Sequence, residues 1–216
     1  MASIDTAAQA TEAIEYLSGD SVMSGLIEQW GPLYLTQTDD YFFTLVDAIT
    51  SQQLSSKAAA TIVGRIRALV PEKQKIEAED MLEVPDQALR DAGLSWGKVS
   101  YVKDLSARVA SGEIHLGRIS EMEDEEIIKE LVAVKGIGRW TAEMFLIFSL
   151  ARPDVFAVDD YGLRAALKRI NNLPDLPRPA PMRQMGEPWR PFRSYASLYL
   201  WRSVGGTVGQ GEGVSA

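Results

Sequence analysis

The chain has 216 residues, 46% of them hydrophobic, with 30 acidic against 22 basic side chains and a formal net charge of −8. That is ample apolar material for one domain or two small lobes, and no apolar run approaches the roughly 20 residues that cross a bilayer. There is no cysteine, which excludes disulfides and thiolate-held metal clusters, and the opening MASIDTAAQATEAIEYL lacks the pattern of a secretory signal, so an intracellular location is expected, in cytoplasm or nucleoid, or in the nucleus of a eukaryote.

Apolar spacing predicts helices throughout and no strand alternation. In chain order they are Thr6 to Leu17, Val22 to Trp30, Asp40 to Gln52, Ser56 to Val70, a short one near Ala78 to Leu82, Asp86 to Ala92, Lys98 to Ala110, Glu125 to Val134, Arg139 to Leu150, Tyr161 to Arg169 and Pro191 to Val204. Asp39 or Asp40, Ser55 and Asp124 are candidate N-caps, each able to accept from an early helical N–H. Linkers are expected at Pro71 to Ile76, at Gly112 to Glu121 and, rich in proline, at Asn171 to Pro188. Residues 1–204 read as the folded part and the glycine-rich 205–216 as a flexible tail.

The segment from Leu131 to Leu167 carries the most chemistry. A helix ends near Val134, Gly136 and Gly138 bracket Ile137, and a new helix starts near Arg139. Glycines at such a turn allow positive φ and close backbone approach, and the first turn of the second helix directs N–H groups and the positive end of its dipole outward, an arrangement that holds phosphate. Lys135 and Arg139 flank the turn and Thr141 offers a hydroxyl. About twenty residues later come two adjacent acids, Asp159 and Asp160.

These residues have a family context. LVAVKGIGRWTAEMFLIF and VFAVDDYGLRAAL resemble the hairpin and the catalytic-aspartate segment of the helix-hairpin-helix DNA glycosylases, in particular the 3-methyladenine DNA glycosylase II family. AITSQQLSSKAAATIVGRI, GLSWGKVSYVKDLSARV and PWRPFRSYASLYLWR resemble three further blocks of that family, in the same order, so that the likeness spans roughly residues 39 to 204. It implies an all-α fold of two helical lobes with a cleft between them, one lobe formed by the middle of the chain. It also implies double-stranded DNA containing alkylated bases as partner. The absence of cysteine excludes the iron–sulfur cluster that endonuclease III-like relatives carry, the chain departs from those family members that have an extra N-terminal β-sheet domain, for which it has no room, and a monomer is expected.

Cleavage of an N-glycosidic bond passes through an oxocarbenium-like sugar, which calls for a fixed negative charge and a positioned water. A carboxylate ionised at neutral pH supplies both. The resemblance makes Asp160 the catalytic group, with Asp159 the alternative and, in that reading, the cap of the helix at Tyr161. Where bifunctional relatives carry a lysine after the Gly-x-Gly-x turn, this chain has Trp140; an indole cannot form a Schiff base, so hydrolysis without lyase chemistry is expected. Trp140, with Met144 and Tyr161, is the expected pocket for an alkylated purine, whose positive charge favours an aromatic face.

Flipping a base leaves a gap in the duplex. The resemblance puts the wedge in SQQLSSKAA, with Gln53 first choice and Leu54 second, and puts a monovalent cation on the carbonyls of Val132, Val134 and Ile137. Lys98, Arg190 and Arg193 are further candidates for phosphate. The expected DNA-binding set is thus Gln53, Leu54, Lys135, Gly136, Ile137, Gly138, Arg139 and Thr141. From Lys135 to Gln210 the chain has eleven basic and six acidic residues, a net of +5, against −12 for Met1 to Val134, so the hairpin is assigned to the basic half, which could orient DNA despite the overall charge. Two other readings stay open: a noncatalytic helix-hairpin-helix DNA-binding protein, and a helical protein whose partner is another protein.

Overall fold

A computed structural model describes residues 6–71 and 73–205; the expected tail, from residue 206 on, lies outside them. Among the described residues there are twelve α-helices, two 3-10 turns and no strands. The chain divides into two compact units, one of residues 39–142 and one of residues up to 38 together with those from 143 onward.

The middle unit is built around α3 (Tyr41–Ser51) and α7 (Trp96–Ala110), with α4 (Ser56–Arg67), α5 (Ala78–Glu83) and α6 (Asp86–Ala92) packed on them. Phe42, Phe43, Leu45, Val46 and Ile49 of α3 and Val99, Val102 and Leu105 of α7 are buried at helical spacing. The unit continues through a 3-10 turn (Leu116–Glu121) and α8 (Asp124–Val132) into the hairpin. Ser55 caps α4 as expected, accepting from Ala58 N at 3.4 Å. Asp124 does not cap α8. Glu123 does, in a capping box with Glu126, because the helix begins one residue earlier than the apolar pattern shows. Asp40 precedes α3 without capping it, its carboxylate lying 3.5 Å from Arg67 instead.

The other unit joins the chain ends. α1 (Thr6–Leu17) and α2 (Ser21–Trp30) pack against α12 (Arg193–Ser203), every residue of which from Ser194 to Trp201 is buried. A helix buried on all sides must pair its polar groups inside, and its two tyrosines do so: Tyr195 donates to Gln9 Oε1 and Tyr199 to the Gly31 carbonyl, each at 3.0 Å. Burial pushes the Tyr195 phenol up to about 12. α9 (Arg139–Phe148) runs across the boundary in sequence, and α10 (Tyr161–Ile170) follows the acid pair. One element went unforeseen: α11 (Pro179–Gly186) lies inside the proline-rich stretch read as a linker. Its prolines fall at the helix start, where their missing N–H costs nothing.

Candidate active site

Asp160 is the N-cap of α10. It is 8% exposed, whereas Asp159 faces solvent. Its Oδ1 accepts from Leu163 N at 2.7 Å and from the Trp201 indole Nε1 at 2.8 Å. Capping falls to Asp160 and not, as the sequence suggested, to its neighbour, because the cap is the residue directly before the first helical one. One carboxylate thus starts the helix and stands as the candidate nucleophile-directing charge. It faces two N–H donors and the positive end of a helix dipole.

Trp201 has no assigned role in the sequence reading, although it closes the block ending LYLWR. Its indole stacks on Phe148 at 5.6 Å between ring centroids, and it reaches Asp160 only because residue 162 is glycine: a Cβ there would lie 2.8 Å from Trp201 Cδ1 and 3.1 Å from Asp160 Oδ1. The Trp201→Phe variant keeps the ring contact and removes the donor. Base release from alkylated DNA is expected to fall about tenfold, with little change in melting temperature, since one hydrogen bond to a charged group is worth about 1.5–3 kcal/mol. Wild-type rates in this variant would take the indole out of the site.

Of the expected pocket residues, Trp140 is 47% exposed, Tyr161 is 71% exposed and Met144 is half-buried one turn beyond Trp140 on α9. Exposed aromatics of this size on helix starts are available to stack on a ligand.

The hairpin belongs to the middle unit. α8 ends at Val132, Ile137 N donates to Val134 O at 3.1 Å, and Ala142 N donates to Gly138 O at 3.1 Å as α9 begins. Lys135, Gly136, Gly138 and Arg139 are exposed, while Val134 and Ile137 are buried beneath them. Gly136 has φ +81°, and a Cβ on it would fall 2.2 Å from the ring of Tyr101. Gly138 has neither constraint. Ile137 therefore contributes its side chain to the core and its N–H to the turn. Thr141 is 8% exposed: Arg139 and Trp140 take the exposed positions of the first turn and Thr141 and Ala142 the buried ones.

The charges around the hairpin are paired. Arg139 binds Glu125 through Nη1 at 3.1 Å and Nη2 at 2.5 Å, and this bond holds the Glu125 carboxyl below its usual value. The pair is exposed and contributes little by itself, so a phosphate can compete for the guanidinium. Lys135 N donates to Asp104 Oδ2 at 2.9 Å. Burial raises Asp104, but the Lys135 N–H and the Arg108 side chain outweigh it and leave the carboxyl below the ordinary range.

The turn between α3 and α4 carries the wedge candidates. Gln53 is exposed with φ +58°, and Leu54 is 40% exposed. Two neighbours hold this turn. Gln52 Nε2 donates to Gly136 O at 2.8 Å, and Lys98 Nζ donates to Thr50 O at 2.7 Å and Gln52 O at 2.6 Å. Lys98 is therefore not placed for phosphate: it satisfies carbonyls at the C-terminal end of α3, where a cation is favoured. Arg193 is also engaged, its guanidinium meeting both carboxylate oxygens of Asp154 at 2.5 and 3.0 Å, and Arg190 reaches the same carboxylate at 3.0 Å.

The charge expectation fails as well. The hairpin's unit, residues 39–142, has thirteen basic and eighteen acidic residues, a net of −5, because the fold divides the chain elsewhere than at the hairpin. Oriented main-chain N–H groups at the start of α9, more than a basic field, are what this unit offers to a phosphate.

A helix-hairpin-helix followed, after a short loop, by a buried, N–H-bonded aspartate is the arrangement of a class of DNA base-excision proteins. Residues 46–191 match the family described as HhH-GPD superfamily base excision DNA repair protein, and the chain belongs to that superfamily. A DNA-3-methyladenine glycosidase from Bacillus halodurans is 37% identical, with a TM-score of 0.79 over 88% of this chain and 87% of its own. The Schizosaccharomyces pombe 3-methyladenine DNA glycosylase Mag1, solved in complex with abasic DNA, is 32% identical, with a TM-score of 0.79 over 91% of this chain and 98% of its own. The Bacillus subtilis protein YfjP is 35% identical over 84% of this chain, which spans 65% of that relative's length.

Proposed function

We propose that this protein is a monofunctional DNA glycosylase that takes alkylated, cationic purines such as 3-methyladenine out of duplex DNA and hydrolyses the N-glycosidic bond, leaving an abasic site. The observation that carries the reading is Asp160, a buried carboxylate fixed by Leu163 N and Trp201 Nε1. The names of the Bacillus halodurans and Schizosaccharomyces pombe relatives support the substrate class, and the abasic DNA bound by the latter supports the product.

The chemistry follows from the charge. As the bond from the sugar's anomeric carbon to the base nitrogen lengthens, positive charge grows on the sugar and the carboxylate stabilises it. A cationic base departs neutral and needs no proton from the protein. Water adds its oxygen to the anomeric carbon and gives up a proton, for which Asp160 is the acceptor. Trp140 offers its indole face to the extruded base, the main-chain N–H groups at the start of α9 receive a phosphate, and Gln53, with Leu54 the alternative, fills the vacated stack. Asp159, exposed, takes no part.

The carbonyls proposed for a structural monovalent cation suit one. Val132 lies in the last turn of α8, where carbonyls lack helical partners, and Val134 O keeps a second lone pair beyond its bond from Ile137 N. Such an ion would rigidify the hairpin and add positive charge near the phosphate. The protein acts as a monomer, inside the cell where its DNA lies.

Incubating methylated duplex DNA with the protein and measuring free base tests the reading. Release of 3-methyladenine is expected, with strand breaks appearing only after alkali; DNA binding without release would leave a noncatalytic DNA-binding protein. Borohydride added during turnover is expected to trap no covalent complex, because Trp140 stands where an amine would attack. A trapped band of reaction stoichiometry would show that some lysine performs lyase chemistry.

A further inference from the structure

Three residues on one face of α7, Lys98, Tyr101 and Asp104, stand a turn apart. Lys98 holds the carbonyls of Thr50 and Gln52, the Tyr101 ring lies against Gly136, and Asp104 accepts from Lys135 N. Gln52 closes the circuit by donating from its side chain to Gly136 O. The wedge turn and the hairpin are thus braced on a single helix and tied to each other.

Packing does not do this for the turn. A cavity of about 240 Å³ adjoins it, lined by Gln52, Gln53, Leu54, Ile62, Gly93 and Lys98 among others. Gln53 stands in the left-handed region, which a residue with a Cβ keeps only when its surroundings impose it. A turn pushed against a base stack with empty space beside it can give way. The two charge-assisted bonds from Lys98 are what resist, and its ammonium is drawn below its ordinary value by burial.

We propose that Lys98 and Gln52 are positioning residues that couple phosphate capture at the hairpin to insertion of the wedge turn, led by Gln53, into the duplex, so that docking the backbone drives base flipping. The proposal rests on the glycosylase reading above. Neither residue touches the base or the sugar.

The test compares Lys98→Met and Gln52→Ala with wild type on two duplexes carrying the same alkylated base, one with its proper partner opposite and one with a mismatch. A mismatched base is cheaper to extrude, so a residue that supports flipping matters less there. Release from the paired duplex is expected to drop about tenfold in both variants, and from the mismatched duplex about twofold. A 2-aminopurine beside the lesion, whose fluorescence rises on unstacking, should brighten less with the variants than with wild type on the paired duplex. Equal losses on both duplexes, or none on either, would overturn the proposal. Gln52→Ala guards against misfolding, since it severs the tie from a half-exposed side chain and leaves the Lys98 bonds in place. If wild type released no base from either duplex, the glycosylase reading would fall instead, and the 2-aminopurine signal would still report on the coupling.

Discussion

Asp160→Asn is expected to lower base release by about a thousandfold or more while leaving DNA affinity and melting temperature near wild type. The argument depends on what asparagine keeps. It caps helices about as well as aspartate, and its carbonyl oxygen can still accept from Leu163 N and Trp201 Nε1, the two bonds that fix the side chain. What it loses is the negative charge, and removing a single preorganised electrostatic partner of a transition state costs about 10²–10³ in rate; the lost proton acceptor adds a further factor. Single-turnover release beside anisotropy binding and a melting curve checks all three. Alanine would be a poorer choice, since it strips the cap and leaves a buried indole N–H without its acceptor, at about 1–3 kcal/mol. Near-normal release by the asparagine variant would return the role to Asp159 or dismiss the site.

Gly136→Ala should be the most damaging single change at the hairpin. Alanine at φ +81° is strained, and its Cβ would lie 2.2, 2.6 and 2.7 Å from three atoms of the Tyr101 ring. Together the backbone strain and the forced ring displacement should cost about 3–4 kcal/mol, or roughly 10 °C in melting temperature for a chain of this size. DNA affinity should fall at least about tenfold with the distorted turn. Adding Tyr101→Ala removes the collision but not the φ strain, so partial recovery of stability is expected in the double variant. Gly138→Ala meets nothing within 4 Å and should leave the melting temperature unchanged. Any loss of DNA affinity there measures how closely the phosphate approaches. Full stability of Gly136→Ala would mean that the hairpin is not held as described.

Much of this protein is readable without coordinates, because helix-forming patterns are local. The buried faces of α3 and α7 follow from apolar residues at helical spacing, and the hairpin announces itself by Gly136 and Gly138 between two periodic segments. The misreadings share a cause. α11 reads as linker in the sequence because prolines alone carry no sign that they fall on a first turn. Lys98 and Arg193 read as phosphate ligands because a basic residue carries no sign of its partner, and the carbonyls of Thr50 and Gln52 and the carboxylate of Asp154 that engage them lie 48, 46 and 39 residues away in the chain. The spacing of Lys98 and Tyr101 on one helix face was the available hint that they work together.

The sequence alone determined the family, the all-helical class, the identity of the hairpin and the presence of Trp140, not lysine, after its Gly-x-Gly-x turn. Each of these is a matter of residue type and short-range order. Only the tertiary structure decided which acid is buried, that Trp201, 41 residues further on, holds it, that two similar glycines face different constraints, and that the hairpin lies in an acidic unit rather than a basic half. Those depend on contacts between residues far apart in the chain, where burial and hydrogen bonding are set by packing that no local pattern encodes.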